Sequence, residues 1–208
     1  MTKDLANIFK NSLLSLKTDG LISNLEGLVR LHEFKPSGGD KTLKIAYPVD
    51  CEEPEDCVEC KSLYICVPEK TKKCLVYFEG YQSRATFPLQ TSTKYESVLS
   101  LICWYNLDFF ETSDLLQSRL ISLFSEKIKK TYSEENPINF VNPEIVSVTD
   151  SDASIFSKYS YNESNSGFLG CKYATFRIDF KINFLLNEDS NCINNILANS
   201  IVSECVSC

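Results

Sequence analysis

Ten cysteines in 208 residues are the most chemically capable feature of this sequence, and five of them, Cys51, Cys57, Cys60, Cys66 and Cys74, fall in one region. Cys57 and Cys60 have the CxxC spacing that lets two thiolates reach one tetrahedral metal ion. A structural zinc held by Cys57, Cys60 and two of Cys51, Cys66 and Cys74 is therefore one expectation. A second CxxC pair, Cys205 and Cys208, closes the chain, too distant in sequence to read as the other half of one zinc motif. The acids Glu52, Glu53, Glu55, Asp56 and Glu59 surround the first pair. They disfavour free thiolates but would welcome a dication. Two other states compete: free, partly buried thiols, or disulfides formed after release from the cell, with Cys66 and Cys74 as a cross-hairpin pair. Cys103 and Cys171 lie in strand-like runs and read as small core residues.

Other catalytic chemistry finds little material. The single histidine, His32, lies inside a strand-like run, so Cys–His or Ser–His–Asp catalysis would rest on it alone. The sequence holds no GxSxG, phosphate loop, dinucleotide fingerprint or HExxH. Only seven glycines are present, which makes backbone cradles for phosphate scarce. A thiol-dependent enzyme using Cys57 and Cys60 is a third hypothesis, set in an acidic, loop-like context. The expectation is a protein that is not an enzyme and needs no cofactor beyond the one candidate zinc.

The elements around these residues specify an α+β fold: a mainly antiparallel, twisted sheet packed with an N-terminal helix and a central amphipathic helix. Leu5, Ile8, Phe9, Leu13 and Leu16 recur at helical spacing and predict a helix ending before Asp19 and Gly20. Strand-like runs follow at 27–34, 42–49, 62–67 and 74–79, and the last two suggest a hairpin across a polar loop. Residues 92–106 read as a long strand apolar on both faces. Residues 114–130 carry Leu116, Leu120, Leu123, Phe124 and Ile128 as one stripe, with Thr112 or Ser113 available to cap the start. Lys127, Lys129 and Lys130 in its last turn complement the helix dipole and need no nucleic acid to explain them. Asn136-Pro137 and Asn142-Pro143 are breaks, 144–149 is strand-like, and 150–170 reads as a long polar loop.

The strongest pattern lies at 174–186. Phe176, Ile178, Phe180, Ile182 and Phe184 alternate with Thr175, Arg177, Asp179, Lys181 and Asn183. Strands usually run about five or six residues, so one this long either curls round a twisted sheet or packs partly against another subunit. The five apolar residues are the expected inter-copy interface. The domain reading is one α+β domain over 1–190 with a cysteine-rich insertion at about 50–74, then a C-terminal arm over 191–208.

From residue 74 onward this order resembles the tail-terminator and neck (tail-completion) proteins of tailed bacteriophages. The resemblance rests on SVLSLICWYN leading into DLLQSRLISLFSEKIKK, then IFSKYSYNESNSG and the long strand YATFRIDFKINFLL. It covers somewhat more than half of the chain, and the cysteine-rich insertion and Cys-ending tail depart from it. The Asn-, Lys- and Cys-rich style is similar to that of crAss-like phages of gut bacteria. The resemblance implies a structural virion protein, assembled in the host bacterial cytoplasm. It implies homo-oligomeric rings, commonly of six or twelve copies, at the head–tail junction or tail end. Its partners would be copies of itself and other neck, tail and portal proteins, with no catalytic residues to carry over. A net charge of −7 agrees with a lumen that DNA crosses without being gripped. A zinc-stapled protein-interaction module is the alternative.

No membrane role is expected. Val98 to Tyr105 is too short an apolar run to span a bilayer. Asp4, Asn7, Lys10 and Asn11 interrupt any secretory apolar run at the start, so folding in a reducing cytoplasm is the expectation.

Overall fold

Apolar residues at helical spacing near the start form α1, Thr2–Thr18, and Leu5, Ile8, Phe9, Leu13 and Leu16 turn inward along it. Asp4 sits in its first turn and Lys17 in its last, each at the end of the dipole that favours it. Gly20 terminates it at φ +75°, a conformation L residues rarely adopt. There its N–H donates to the Lys17 carbonyl (3.1 Å) and the Leu21 N–H reaches back to Leu16 (3.0 Å), the Schellman arrangement. The computed structural model describes residues 2–34, 45–50, 64–66, 68–80, 84–88, 92–111, 115–130, 138–150, 153–159 and 172–187.

The remaining elements are β1 (Asn24–Leu28), β2 (Arg30–Phe34), β3 (Ile45–Asp50), β4 (Tyr64–Ile65), β5 (Cys74–Gly80), β6 (Arg84–Pro88) and β7 (Ser92–Asn106). A second helix α2 (Leu116–Lys129), β8 (Ile138–Asp150) and β9 (Tyr173–Asn187) follow. The main sheet runs β1-β5-β7-β9-β8, with β6 on the first half of β7. All its pairs are antiparallel except β1 with β5. A small sheet, β2-β3-β4, forms a separate ladder that is tied to the main sheet where Asp50 of β3 accepts from the Gly27 N–H of β1 at 2.8 Å. This is the α+β, mainly antiparallel architecture expected from the sequence.

The sheet is apolar on both faces where it is widest. On one face α1 and α2 cover Cys74, Val76, Phe78, Leu99, Leu101, Cys103 and the alternating side chains of β9. Phe9 makes an edge-on contact with Phe180 at 5.9 Å, and Phe124 packs at 5.8 Å from Phe176. On the other face Leu75, Tyr77, Ile102 and Trp104 lie under Val29, Cys66, Ile155, Phe156 and Tyr159. β7 is thus buried on both sides, as its continuous apolar run requires.

Three expectations need correction. The segments at 62–67 and 74–79 do not form a hairpin: β4 pairs with β3, whereas β5 pairs with β1 and β7. Parallel pairing to a distant strand buries β5 on both faces, which a two-stranded ribbon cannot do. Pro143 does not end a strand, because β8 runs through it with its register shifted between Val141 and Glu144, where a missing N–H costs least. α2 begins after Leu115; the expected caps Thr112 and Ser113 lie outside the described residues. Within 150–170, Ala153–Phe156 is a 3₁₀ turn whose Ile155 and Phe156 are buried. The region from 188, including the expected arm over 191–208, lies outside the described residues.

Candidate functional site

Of the candidate metal ligands, the two that are described, Cys66 and Cys74, do not come together. Cys51, Cys57 and Cys60 lie outside the described residues. Cys74 points into the core beneath the helices, and its Sγ lies 3.3 Å from that of Cys103. Cys66 packs in the cluster on the opposite face, its N–H donating to the Pro48 carbonyl at 2.9 Å. Tetrahedral zinc draws its ligands to within about 2.3 Å of one point, so Cys66 and Cys74 cannot serve the same ion across a sheet. The same separation removes the Cys66–Cys74 disulfide: both are free thiols, as is Cys103. Among the described residues no group of three or more His, Cys, Asp or Glu is placed to hold a metal.

The expected interface is corrected too. Phe176, Ile178, Phe180, Ile182 and Phe184 are each 0% exposed and belong to the chain's own core. The alternation marks one apolar face, and α1 and α2 cover it within the same molecule. His32 sits in β2, opposite Tyr47 of β3, in the small sheet.

The polar face of β9 carries the most organised cluster of ionisable groups. Register aligns Glu79 of β5, Ser100 of β7, Asp179 of β9 and Ser147 of β8 in one row across four strands. Ser100 and Ser147 each donate to Asp179 at 2.5 Å. Arg177 Nε donates to Asp179 at 2.7 Å, and its Nη2 donates to Ser100 at 2.9 Å. At the other end Glu79, only 6% exposed, accepts from Lys158 and from the Tyr159 hydroxyl, with Arg177 at 3.8 Å. A pocket of about 500 Å³ opens beside it, lined by Leu28, Arg30, Glu79, Gly80, Lys158 and Tyr159.

The electrostatics of this row suit a brace better than a catalyst. Burial opposes ionisation of Asp179, but hydrogen bonds from Ser100, Ser147 and Arg177, with the Arg177 charge, outweigh it. The carboxyl is thereby held below its ordinary value. A carboxylate so stabilised is a poor general base for the two serines that donate to it. Glu79 is likewise engaged, by a lysine, an arginine and a tyrosine. The sequence pointed to this cluster only faintly, through the acid that ends the apolar run of β5 and the charges alternating along β9.

The buried acids of the core set a pH limit. Burial first, then the charges of Glu26 and Asp50, push the Cys66 thiol well above its ordinary 9.0. Burial also raises the Tyr105 hydroxyl above its ordinary 10.0, and the Cys103 thiol above 9.0. The unfolded chain can release these protons once pH passes the ordinary values, while the folded chain retains them. Stability is therefore complete below about pH 9 and lost as pH rises further, by at most about 1.4 kcal/mol per pH unit for each buried group. Urea unfolding between pH 7 and 10.5 should show this decline, and Cys66→Ala should make it shallower.

Compared with known proteins, the chain matches no protein-family model, no curated protein and no solved structure. Among the described residues no helix is long and apolar enough to cross a membrane.

Proposed function

We propose that this chain is a structural, non-enzymatic protein that assembles with copies of itself. The observation that carries this reading is the outer edge of β8. The strand is thirteen residues long, it ends the main sheet, and among the described residues nothing pairs with its far side. Val146 and Val148 stand 60% and 45% exposed along it. Proteins ordinarily blunt such an edge with lysine, proline, bulges or a covering segment. Pro143 and register shifts between Val141 and Glu144 and between Ile145 and Ser147 interrupt it in part, but no lysine or arginine stands on it as far as Asp150. An edge of this kind accepts a strand from a neighbouring molecule, and a head-to-tail join repeated around an axis closes a ring.

Such a ring accords with the resemblance to tail-terminator and neck proteins. In that setting the chain is a virion component at a phage head–tail junction or tail end, joining neck, tail and portal proteins around the DNA channel. Its net charge of −7 keeps DNA moving through rather than bound. Mass photometry of the full chain at micromolar concentration should find one discrete oligomer. Val146→Lys should weaken assembly on the order of tenfold or more while leaving the melting temperature nearly unchanged, since the site is exposed. A strictly monomeric wild-type chain, or assembly indifferent to both Val146→Lys and Val148→Lys, would overturn the proposal.

A further inference from the structure

We propose that Cys74 and Cys103 are a reversible redox pair that closes to a disulfide across β5 and β7. Their sulfurs already lie 3.3 Å apart, both side chains are fully buried, and no third described cysteine shares their side of the sheet. Ladder register places Cys74 opposite Tyr105 and Val76 opposite Cys103, so the two cysteines are diagonal neighbours. Diagonal pairs on adjacent strands sit at about 7–8 Å, slightly beyond the usual disulfide span of about 4.4–6.8 Å. Bond formation at about 2.05 Å must then draw the strands together locally, and the strain makes the bond easier to reduce than a permanent structural one. That is the property of a switch.

The chemistry needs an oxidant of the peroxide class. Both S–H bonds break and one S–S bond forms, while two protons and two electrons pass to the peroxide, whose O–O bond cleaves to give two waters. Burial holds the Cys103 thiol in its protonated form, with the Cys74 thiol beside it adding to the effect. Thiolate is the reactive form, so closure proceeds through brief openings of the core and is slow in the native protein. In a reducing cell the pair stays open; in a lasting oxidising medium it closes.

The test is to free the full-length chain of reductant, incubate it with hydrogen peroxide, unfold and alkylate it, and map its peptides by mass spectrometry. The expected product links the Cys74 and Cys103 peptides, is lighter by two hydrogens, and disappears on treatment with dithiothreitol. The oxidised protein should melt about 3–8 °C higher than the reduced one, less than an unstrained bond closing this 29-residue separation would give. That increment should vanish in Cys103→Ala and in Cys74→Ala, two variants that keep the test open if one folds poorly. Recovery of both thiols fully alkylated, their linkage to other cysteines, or conversion of either to a higher sulfur acid would overturn the proposal. So would the same increment in either variant.

Discussion

Phe180→Ala should lower the unfolding free energy by about 3–5 kcal/mol, with a fall in melting temperature on the order of 10 °C. Phe180 lies midway along β9, paired in register with Leu99 of β7 and Ile145 of β8, and its ring meets Phe9 of α1 edge-on. It is fully buried. Sheet hydrogen bonds hold the backbone on both sides, so the space left by the ring cannot collapse and the cavity term stays large. Total stabilities are about 5–15 kcal/mol, which makes this loss a third or more of a typical value. Urea unfolding at low protein concentration checks it. The same variant discriminates between two roles for the alternating face. A core residue loses chain stability whatever the assembly state; an interface residue loses assembly and leaves the isolated chain nearly unchanged. A loss below about 1 kcal/mol together with failure to oligomerise would return Phe180 to an interface.

Strong periodicity made some elements legible and left others hidden. α1, β7 and β9 are recognisable within about two residues because each keeps one period over several turns or pleats. The same alternation misleads about what covers β9. Period two says that Phe176 to Phe184 share a face, but not that α1, from the opposite end of the chain, lies on it. β5 shows a related limit. Its run CLVYF is buried throughout, and nearness in sequence favours a hairpin with the segment before it. Its partners are instead β7, antiparallel, and β1, parallel, with Asn24 beside Leu75 and Leu25 beside Val76, a contact no local signal announces. Side-chain networks are harder still. Glu79, Ser100, Asp179 and Ser147 are brought into one row by register alone, and in sequence each is an ordinary polar residue in a strand.

The cysteines make the same point from the opposite direction. The CxxC spacing at Cys57 and Cys60 drew attention to a metal, and proximity in sequence tied Cys66 and Cys74 to it. Strand direction decides otherwise: Cys74 alternates with Leu75, so it faces the helices, while Cys66 joins the cluster that contains Leu75. The thiol that Cys74 meets belongs to β7, which residue spacing left as core filler. A pair invisible in the motif is therefore better placed for covalent chemistry than Cys66 and Cys74.

Glu79→Ala should cost about 2–4 kcal/mol, more than its place at the rim of a pocket would suggest. The carboxylate is almost fully buried, accepts from two donors and pairs with the Arg177 charge at 3.8 Å. Lys158, partly exposed, can turn to water after the change and accounts for little of the loss. Arg177 keeps its bond to Asp179. Tyr159 cannot escape so easily: its ring packs with Ile155 and Phe156 against Trp104 and Tyr77, and a buried hydroxyl losing its acceptor costs about 1–3 kcal/mol by itself. The remainder comes from releasing the 153–159 segment, which Glu79 pins to the sheet. Tyr159→Phe combined with Glu79→Ala should therefore cost about 1 kcal/mol less than the two single changes added together. Amide exchange should accelerate at Ile155 to Tyr159 while β7 and β9 stay protected. If Glu79→Ala were neutral within about 0.5 kcal/mol, or exchange rose equally across the sheet, the row would be an incidental surface network and the brace assigned to it would not exist.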